Sequence, residues 1–336
     1  MKPIKPIFII VIFILFLSFL VPTIIVLPFQ KDEASGKLSE EKKHKKVEED
    51  QSTIEVTVYR TASKKIDTLP MENYVAGVVA AEMPADFKLE ALKAQALTAR
   101  TFIVSRLLYG GNSDLPENAD VTDGVADQAY LSNDQLKQNW GNQYDQKMEK
   151  INKAVQETEG KVIVYNGKPI DAAFFSTSNG YTENAEDYWS NAIPYLKSVP
   201  SPWDKSSPKF SKQETVPIAD VEQKLGVTLT NDTGTVLSRT AGKRVAKIRI
   251  GGKIFTGREV REKLNLPSSD FTWTKEGNHL IITTKGYGHG VGMSQYGANG
   301  MAEEGKDCDS IIKYYYKGVS IVPIEKVANN KLMATK

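Results

Sequence analysis

The chain is short of the side chains that most often carry metal, redox or triad chemistry. Its 336 residues include one cysteine, Cys308, and three histidines, His44, His279 and His289. A lone cysteine excludes a disulfide within the chain and leaves no thiolate cluster for a metal. No His/Cys/Asp set has the spacing of zinc ligands, so neither metal nor cofactor is expected. A serine triad would have to use His279 or His289, and no serine elbow accompanies either. An excess of one charge is also missing, with 43 Lys and Arg against 41 Asp and Glu. Without an arginine-rich helix or an aromatic-basic surface, that balance gives no footprint for nucleic acid. No internal repeat is evident, which excludes a solenoid.

Long apolar runs are absent from all but one place. After Lys2 and Lys5, the segment Ile7–Phe29 is almost unbroken in its apolarity, and Lys31-Asp32-Glu33 follows it. A run of this length spans a bilayer as a helix. A cleaved signal peptide is the competing reading, but Val21–Phe29 offers no small-x-small cleavage site. A retained single anchor at 7–29 is therefore expected. The lysines before it place residues 1–6 in the cytoplasm and the body outside. The absence of disulfides in an exported body fits a Gram-positive-like surface.

Residues 30–51 are dominated by Lys and Glu and are expected to be a solvated tether. The folded region is placed at 52–330, with a possible inserted subdomain at 203–234 and a tail at 331–336. Thr53–Thr61 alternates like a strand. Helices are expected over 71–81, stopped by Pro84, over 89–108, stopped by Gly110-Gly111, and in one piece over 133–157. Ser132 and Gln135 have capping-box spacing at the start of the third. Lys161–Tyr165, Asn166-Gly167 and Pro169–Phe175 read as a hairpin. Further strands are expected at 245–250, 253–255, 271–273 and 279–284. A short helix capped by Thr256 and Glu259 precedes Pro267, and two small helices lie near the end. Helices followed by strands, without regular alternation, predict an α+β fold.

Four patterns could hold chemistry. Val78–Pro84 puts Glu82 at the end of an apolar helix, where burial and the helix dipole both favour a protonated carboxyl. Lys93–Thr101 puts Gln95 and Arg100 on an alanine-rich helix, where they can bond a sugar hydroxyl or acetamide. Spacing alone favours the plainer readings of these two, a solvated helix end and an ordinary helix face. Phe174–Glu183 delivers Ser176, Asn179 and Tyr181 into a loop suited to carbohydrate, with Trp189 downstream as a stacking platform; a polar turn packed by aromatics is the alternative. Gly286–Ala298 has glycine at every second position around His289 and leads into Gln295 and Tyr296. It lacks the P-loop and dinucleotide endings. Glycines so spaced require unusual backbone angles or close approach, and here a site wall is favoured over a structural crossover.

Together, and in this order, the four blocks resemble the stage II sporulation protein D family, the engulfment proteins of spore-forming Firmicutes. The resemblance covers nearly the whole chain, anchor included. It implies a membrane-anchored lytic transglycosylase that cleaves peptidoglycan glycan strands lacking stem peptides, with Glu82 as the acid. By the same resemblance Arg100, Ser176, Asn179, Tyr181, His289, Gln295 and Tyr296 line or support the cleft. The partners it implies are the sporulation cell-wall amidase, which removes the stem peptides, and a multispanning membrane protein of the engulfment machine, at the sporulation septum and engulfing membrane. Some relatives carry a zinc-binding His/Cys set after the second helix. Ala119–Tyr130 has neither residue here, and Asp120, Asp123 and Asp127 are expected to form a solvated acidic loop rather than a cation site. The competing functions are a noncatalytic glycan-binding activator of an amidase and a structural component of the engulfment complex.

Overall fold

A computed structural model describes residues 54–110, 115–116, 119–124, 126–230 and 233–327. The expected anchor, tether and tail lie outside the described residues. Among the described residues no helix is long and apolar enough to cross a membrane.

Strand β1 (Glu55–Arg60) turns Val56, Val58 and Arg60 inward. It pairs antiparallel with β2 (Lys65–Pro70), an edge strand whose exposed Lys65 and Asp67 discourage further pairing. Pro70 leads directly into helix α1 (Met71–Glu82), which is buried almost all round. Pro84 forces Met83 into an extended conformation, and the helix ends with Glu82 as its last residue. Helix α2 (Leu89–Tyr109) is the central element of the first core, buried on nearly every side from Ala91 to Val104. Beyond it β3 (Val121–Thr122) pairs parallel with β1.

The single helix expected over 133–157 is two. Helix α3 (Asn133–Trp140) starts at the Ser132/Gln135 capping box, and helix α4 (Tyr144–Glu157) follows a short 3₁₀ turn. Gly141, at φ +53°, breaks the run. The break lets α4 bury Met148, Ile151, Ala154 and Val155 along one stripe.

The expected hairpin is also shorter than its pattern. Strand β4 (Lys161–Tyr165) turns at Asn166-Gly167, both at positive φ, but its partner β5 is only Lys168–Pro169. Phe174–Phe175 (β6) leaves to pair elsewhere. Pro169 offers no N–H to continue a ladder. After the short helix α5 (Ala185–Trp189) and a 3₁₀ turn at Pro202–Ser206 comes a second hydrophobic core.

That second core is built from β7 (Ser211–Pro217), α6 (Ile218–Leu225), β8 (Thr235–Arg239), β9 (Val245–Ile250), β10 (Lys253–Thr256), α7 (Gly257–Leu264), β11 (Phe271–Glu276) and β12 (His279–Lys285). The strands form two antiparallel sheets, ordered β10-β9-β8 and β11-β12-β7. Val221, Ile248, Val260, Phe271 and Ile282 fill the space between them. Helix α7 starts at the Thr256/Glu259 capping box. The chain then returns to the first core through β13 (Met293–Ser294), α8 (Gln295–Glu303), α9 (Cys308–Tyr315) and β14 (Ser320–Pro323), which flanks β4. The architecture is α+β, with helices dominating the first core and antiparallel sheets the second.

Candidate active site

A cleft of about 700 Å³ opens at the end of α1. One wall is Glu82 with the loop Ala126–Ala129; the facing side is lined by 171–176, Trp189, the glycine-rich loop and residues from the second core.

Glu82 is held from the main chain. Its Oε1 accepts a hydrogen bond from the Ala129 amide at 2.9 Å. Burial raises the carboxyl's pKa above the ordinary glutamate value, and the Ala129 bond opposes this without cancelling it. Position at the negative end of α1 acts in the same direction as burial.

Three aspartates fix the loop that carries Ala129. Asp120 accepts from the Thr57 amide at 2.8 Å and from its hydroxyl at 2.6 Å. Asp123 accepts from the Thr61 amide at 3.0 Å and pairs with Arg60 Nε at 3.0 Å. Asp127 accepts from the Thr122 amide at 2.8 Å and pairs with Arg106 at 3.1 Å. The expectation of a solvated acidic loop is therefore corrected: each carboxylate satisfies a main-chain donor, and the loop is tied to β1. Among the described residues no group of His, Cys, Asp and Glu is arranged to hold a metal ion. On the other side of the loop, Gly77 of α1 allows close approach. A Cβ there would overlap the Tyr130 ring and lie 2.8 Å from the Leu131 carbonyl oxygen.

The glycine-rich loop has Gly286, Gly288, Gly290 and Gly292 at φ +80°, +113°, +92° and +82°. Gly292 permits β13 to lie against the Ala173 carbonyl and pair parallel with β6. Thr177 and Tyr287 exchange main-chain bonds of 3.1 and 2.7 Å, which joins the loop to the Phe174–Glu183 segment. Ser176 lines the cleft, and its carbonyl accepts from the Tyr296 amide at 3.1 Å.

His289 lines the same wall among the rings of Phe175, Tyr188 and Trp189, at 5.4–5.7 Å between centroids. Its Nδ1 accepts from the Val291 amide at 3.0 Å, which assigns the proton to Nε2. Burial, then the Arg261 and Arg244 charges, push its pKa down to about 3. The imidazole is neutral at any physiological pH and supports the wall rather than shuttling protons.

Trp189, Gln295 and Tyr296 also line the cleft, and Tyr296 sets its ring edge-on to Phe87. Gln95 is fully buried one layer below, accepting from Gln295 Nε2 at 3.3 Å. Arg100 does not reach the cleft. It is fully buried, paired with Glu72 at 2.6 Å, and bonded to the carbonyls of Val155 and Lys161. Its place is under α1, α4 and β4, which corrects the expectation that it orients a sugar substituent. Asn179 bonds the Gly242 carbonyl and Asp270 instead of facing the cleft. Tyr181 is exposed beside Lys243, also outside the lining.

Sequence reasoning missed several lining residues. Tyr287 lay inside the glycine pattern and was within reach of it. Asp171, Lys209 and Arg261 carry no local signal, because only the tertiary fold brings them to the cleft. Asp171 has a carboxyl raised above the usual aspartate range by burial, opposed by Arg106.

The family model described as Stage II sporulation protein matches residues 59–165. The chain is 50% identical over 328 residues to the stage II sporulation protein D of Bacillus subtilis (strain 168), covering 94% of this chain and 95% of that one. It is 49% identical over 347 residues to the stage II sporulation protein D of Bacillus amyloliquefaciens, covering 99% of this chain and 100% of that one. It is also 30% identical over 307 residues to a protein named amidase enhancer from Bacillus subtilis (strain 168), covering 73% of this chain and 40% of that one.

Proposed function

The chain belongs to the stage II sporulation protein D family, and from that premise and the cleft we propose that it is a lytic transglycosylase of peptidoglycan. Its substrate is the glycan strand freed of stem peptides, cleaved between N-acetylmuramic acid and N-acetylglucosamine. The observation that carries the reading is Glu82: a carboxyl with a raised pKa, fixed by one main-chain amide, facing a cleft large enough for sugar rings.

In this reading the Glu82 carboxyl donates its proton to the glycosidic oxygen. The bond between that oxygen and the muramyl anomeric carbon breaks, and its electron pair stays on the departing oxygen. The muramyl C6 hydroxyl attacks the anomeric carbon and loses its proton to the Glu82 carboxylate. A 1,6-anhydro ring forms, the acid is restored, and no water is consumed. Both reacting groups belong to one sugar, so orientation replaces a second molecule. An inverting or retaining glycosidase instead requires a second carboxylate placed for water or for covalent attack. Trp189 and Tyr287 supply flat apolar faces for the rings. The 7–29 run anchors the body on the extracytoplasmic side, where this polymer lies.

The test is the full-length chain in detergent, mixed with purified glycan strands with and without stem peptides, and the ends identified by mass spectrometry. Anhydromuramyl ends should form, and Glu82→Gln should reduce them by about two to four orders of magnitude. A folded Glu82→Gln protein that works at the parent rate would sink the assignment. A second reading, glycan-binding activation of a cell-wall amidase, is favoured by the likeness to the amidase enhancer. It predicts no anhydro ends from this chain alone and faster stem-peptide release when the amidase is added.

A further inference from the structure

The lining of the cleft includes two cations that have no counter-ion among the described residues. Arg261 comes from α7 of the second core, and Lys209 from the turn before β7; both line the cleft. Arg261 Nη1 donates to the Tyr188 hydroxyl at 2.8 Å, while its Nε is buried and has no partner. Lys209 lies with Nζ 4.9 Å from the Tyr287 ring centroid. Neither makes an ion pair among the described residues; for the exposed Lys209 that is ordinary, but Arg261 is half-buried, and the buried or half-buried Arg60, Arg100 and Arg106 are each paired, with Asp123, Glu72 and Asp127. Behind them Arg244 is fully enclosed, with Nε and Nη2 unpartnered and Glu183 at 3.9 Å.

An uncompensated, half-buried cation such as Arg261, with its Nε buried and unpartnered, is costly unless a ligand supplies the opposite charge; Lys209 adds to the positive field from an exposed position. Neither Glu82 nor Asp171, the two lining carboxyls that burial shifts toward the neutral form, makes an ion pair with Arg261 or Lys209. The wall is therefore built for an anionic group on the ligand. N-acetylglucosamine carries none. Muramic acid carries a lactyl carboxyl, which is a neutral amide while a stem peptide is attached and a carboxylate once the peptide has been hydrolysed away. We propose that Arg261 and Lys209 recognise the free lactyl carboxylate of muramic acid and so make the cleft selective for strands whose stem peptides have been removed. This rests on the glycan reading of the cleft. Arg261 has a planar donor face for a carboxylate, and Lys209 adds a point charge at the rim.

The experiment measures binding rather than turnover. Full-length Glu82→Gln protein is titrated with three tetrasaccharides: a GlcNAc–MurNAc dimer repeat with free lactyl groups, the same compound with the lactyl groups as methyl amides, and chitotetraose. The free acid should bind about ten- to a hundred-fold more tightly than the amide, as expected for charge-assisted bonds, and the advantage should shrink as salt rises. Adding Arg261→Gln or Lys209→Gln should reduce that ratio toward one while leaving chitotetraose affinity in place. Arg261→Lys should keep part of it, and the exposed Lys209 substitution guards against a variant that fails to fold. Equal binding of acid and amide overturns the inference while the glycan reading stands. A preference that survives both Gln variants overturns the assignment to these residues. Failure to bind all three saccharides removes the glycan reading and the inference together.

Discussion

The two sides of the cleft handle charge in opposite ways. On the first-core side, Asp120, Asp123 and Asp127 all meet main-chain donors, two of them also arginines, and the lining carboxyls Glu82 and Asp171 are both shifted toward the neutral form by burial. On the second-core side, Arg261 and Lys209 make no ion pair among the described residues, and His289 is kept neutral by burial, with the Arg261 and Arg244 charges acting in the same direction. The spent charges make a rigid support for a proton donor; the unspent ones make a receptor for an anion. Dispersing the two kinds of charge across two cores prevents them from neutralising each other before substrate arrives.

The largest effect should come from breaking the support. Arg100→Ala leaves Glu72 and two main-chain carbonyls without their donor in a buried setting, and should cost about 3 kcal/mol of stability. Urea unfolding reads this directly. If Arg100 instead touched sugar, the variant would retain its stability and lose glycan affinity, the reverse of what is expected.

Gly77→Ala tests whether the loop really positions the acid. The added methyl meets the Tyr130 ring and the Leu131 carbonyl, so the loop must shift and carry the Ala129 amide away from Glu82. A stability loss of about 1–3 kcal/mol is expected, together with a roughly tenfold or greater fall in kcat at near-constant KM. The pH profile should move as well. The acid works when protonated, so kcat/KM of the parent falls tenfold per unit as pH rises through the raised Glu82 pKa. An intact rate in Gly77→Ala would show that Ala129 is dispensable.

A smaller, pH-limited effect belongs to the opposite wall. His289 has a folded-state pKa near 3 against an ordinary value of 6.5, so the unfolded chain binds a proton that the folded one refuses. Stability contributed by this residue is full above pH 6.5 and declines as pH falls toward 3, by at most about 1.4 kcal/mol per pH unit. His289→Gln should flatten that decline in thermal melts recorded across the window. An unchanged slope would mean the imidazole is not held neutral.

How much of this was legible beforehand depends on the range over which each feature is determined. The Ser132 and Thr256 capping boxes, the Asn166-Gly167 turn and the end of α1 before Pro84 follow from neighbours three or four residues apart, and all were readable. The spacing around His289 likewise announced a strained loop, and each glycine in it does sit at positive φ. The split at Gly141 was readable in principle, but the apolar stripe of α4 masked it. What no local pattern could give is partnership. Arg100 looks like a cleft residue until Glu72 and the β4 carbonyl are placed beside it, and Arg261 looks like a surface helix residue until the second core carries it to Glu82's cleft.

The smallest effect is the sharpest check on where the cleft ends. Asn179 and Tyr181 share the loop with Ser176, and by resemblance all three belong to the site. Yet only Ser176 lines the cleft; Asn179 ties that loop to Gly242 and Asp270, and Tyr181 stands in solvent beside Lys243. Tyr181→Ala removes an exposed ring, and a surface change of this kind should stay within about 0.5 kcal/mol in stability. Anhydro-end formation on short glycans should stay within about twofold of the parent, because no contact that holds Glu82 or the two cations passes through the ring. A tenfold loss on short strands would place Tyr181 against the reacting sugars and extend the receptor wall beyond Lys209. A loss confined to long strands would make the ring an outlying stacking platform, reached only after the strand has filled the cleft between Glu82 and Arg261.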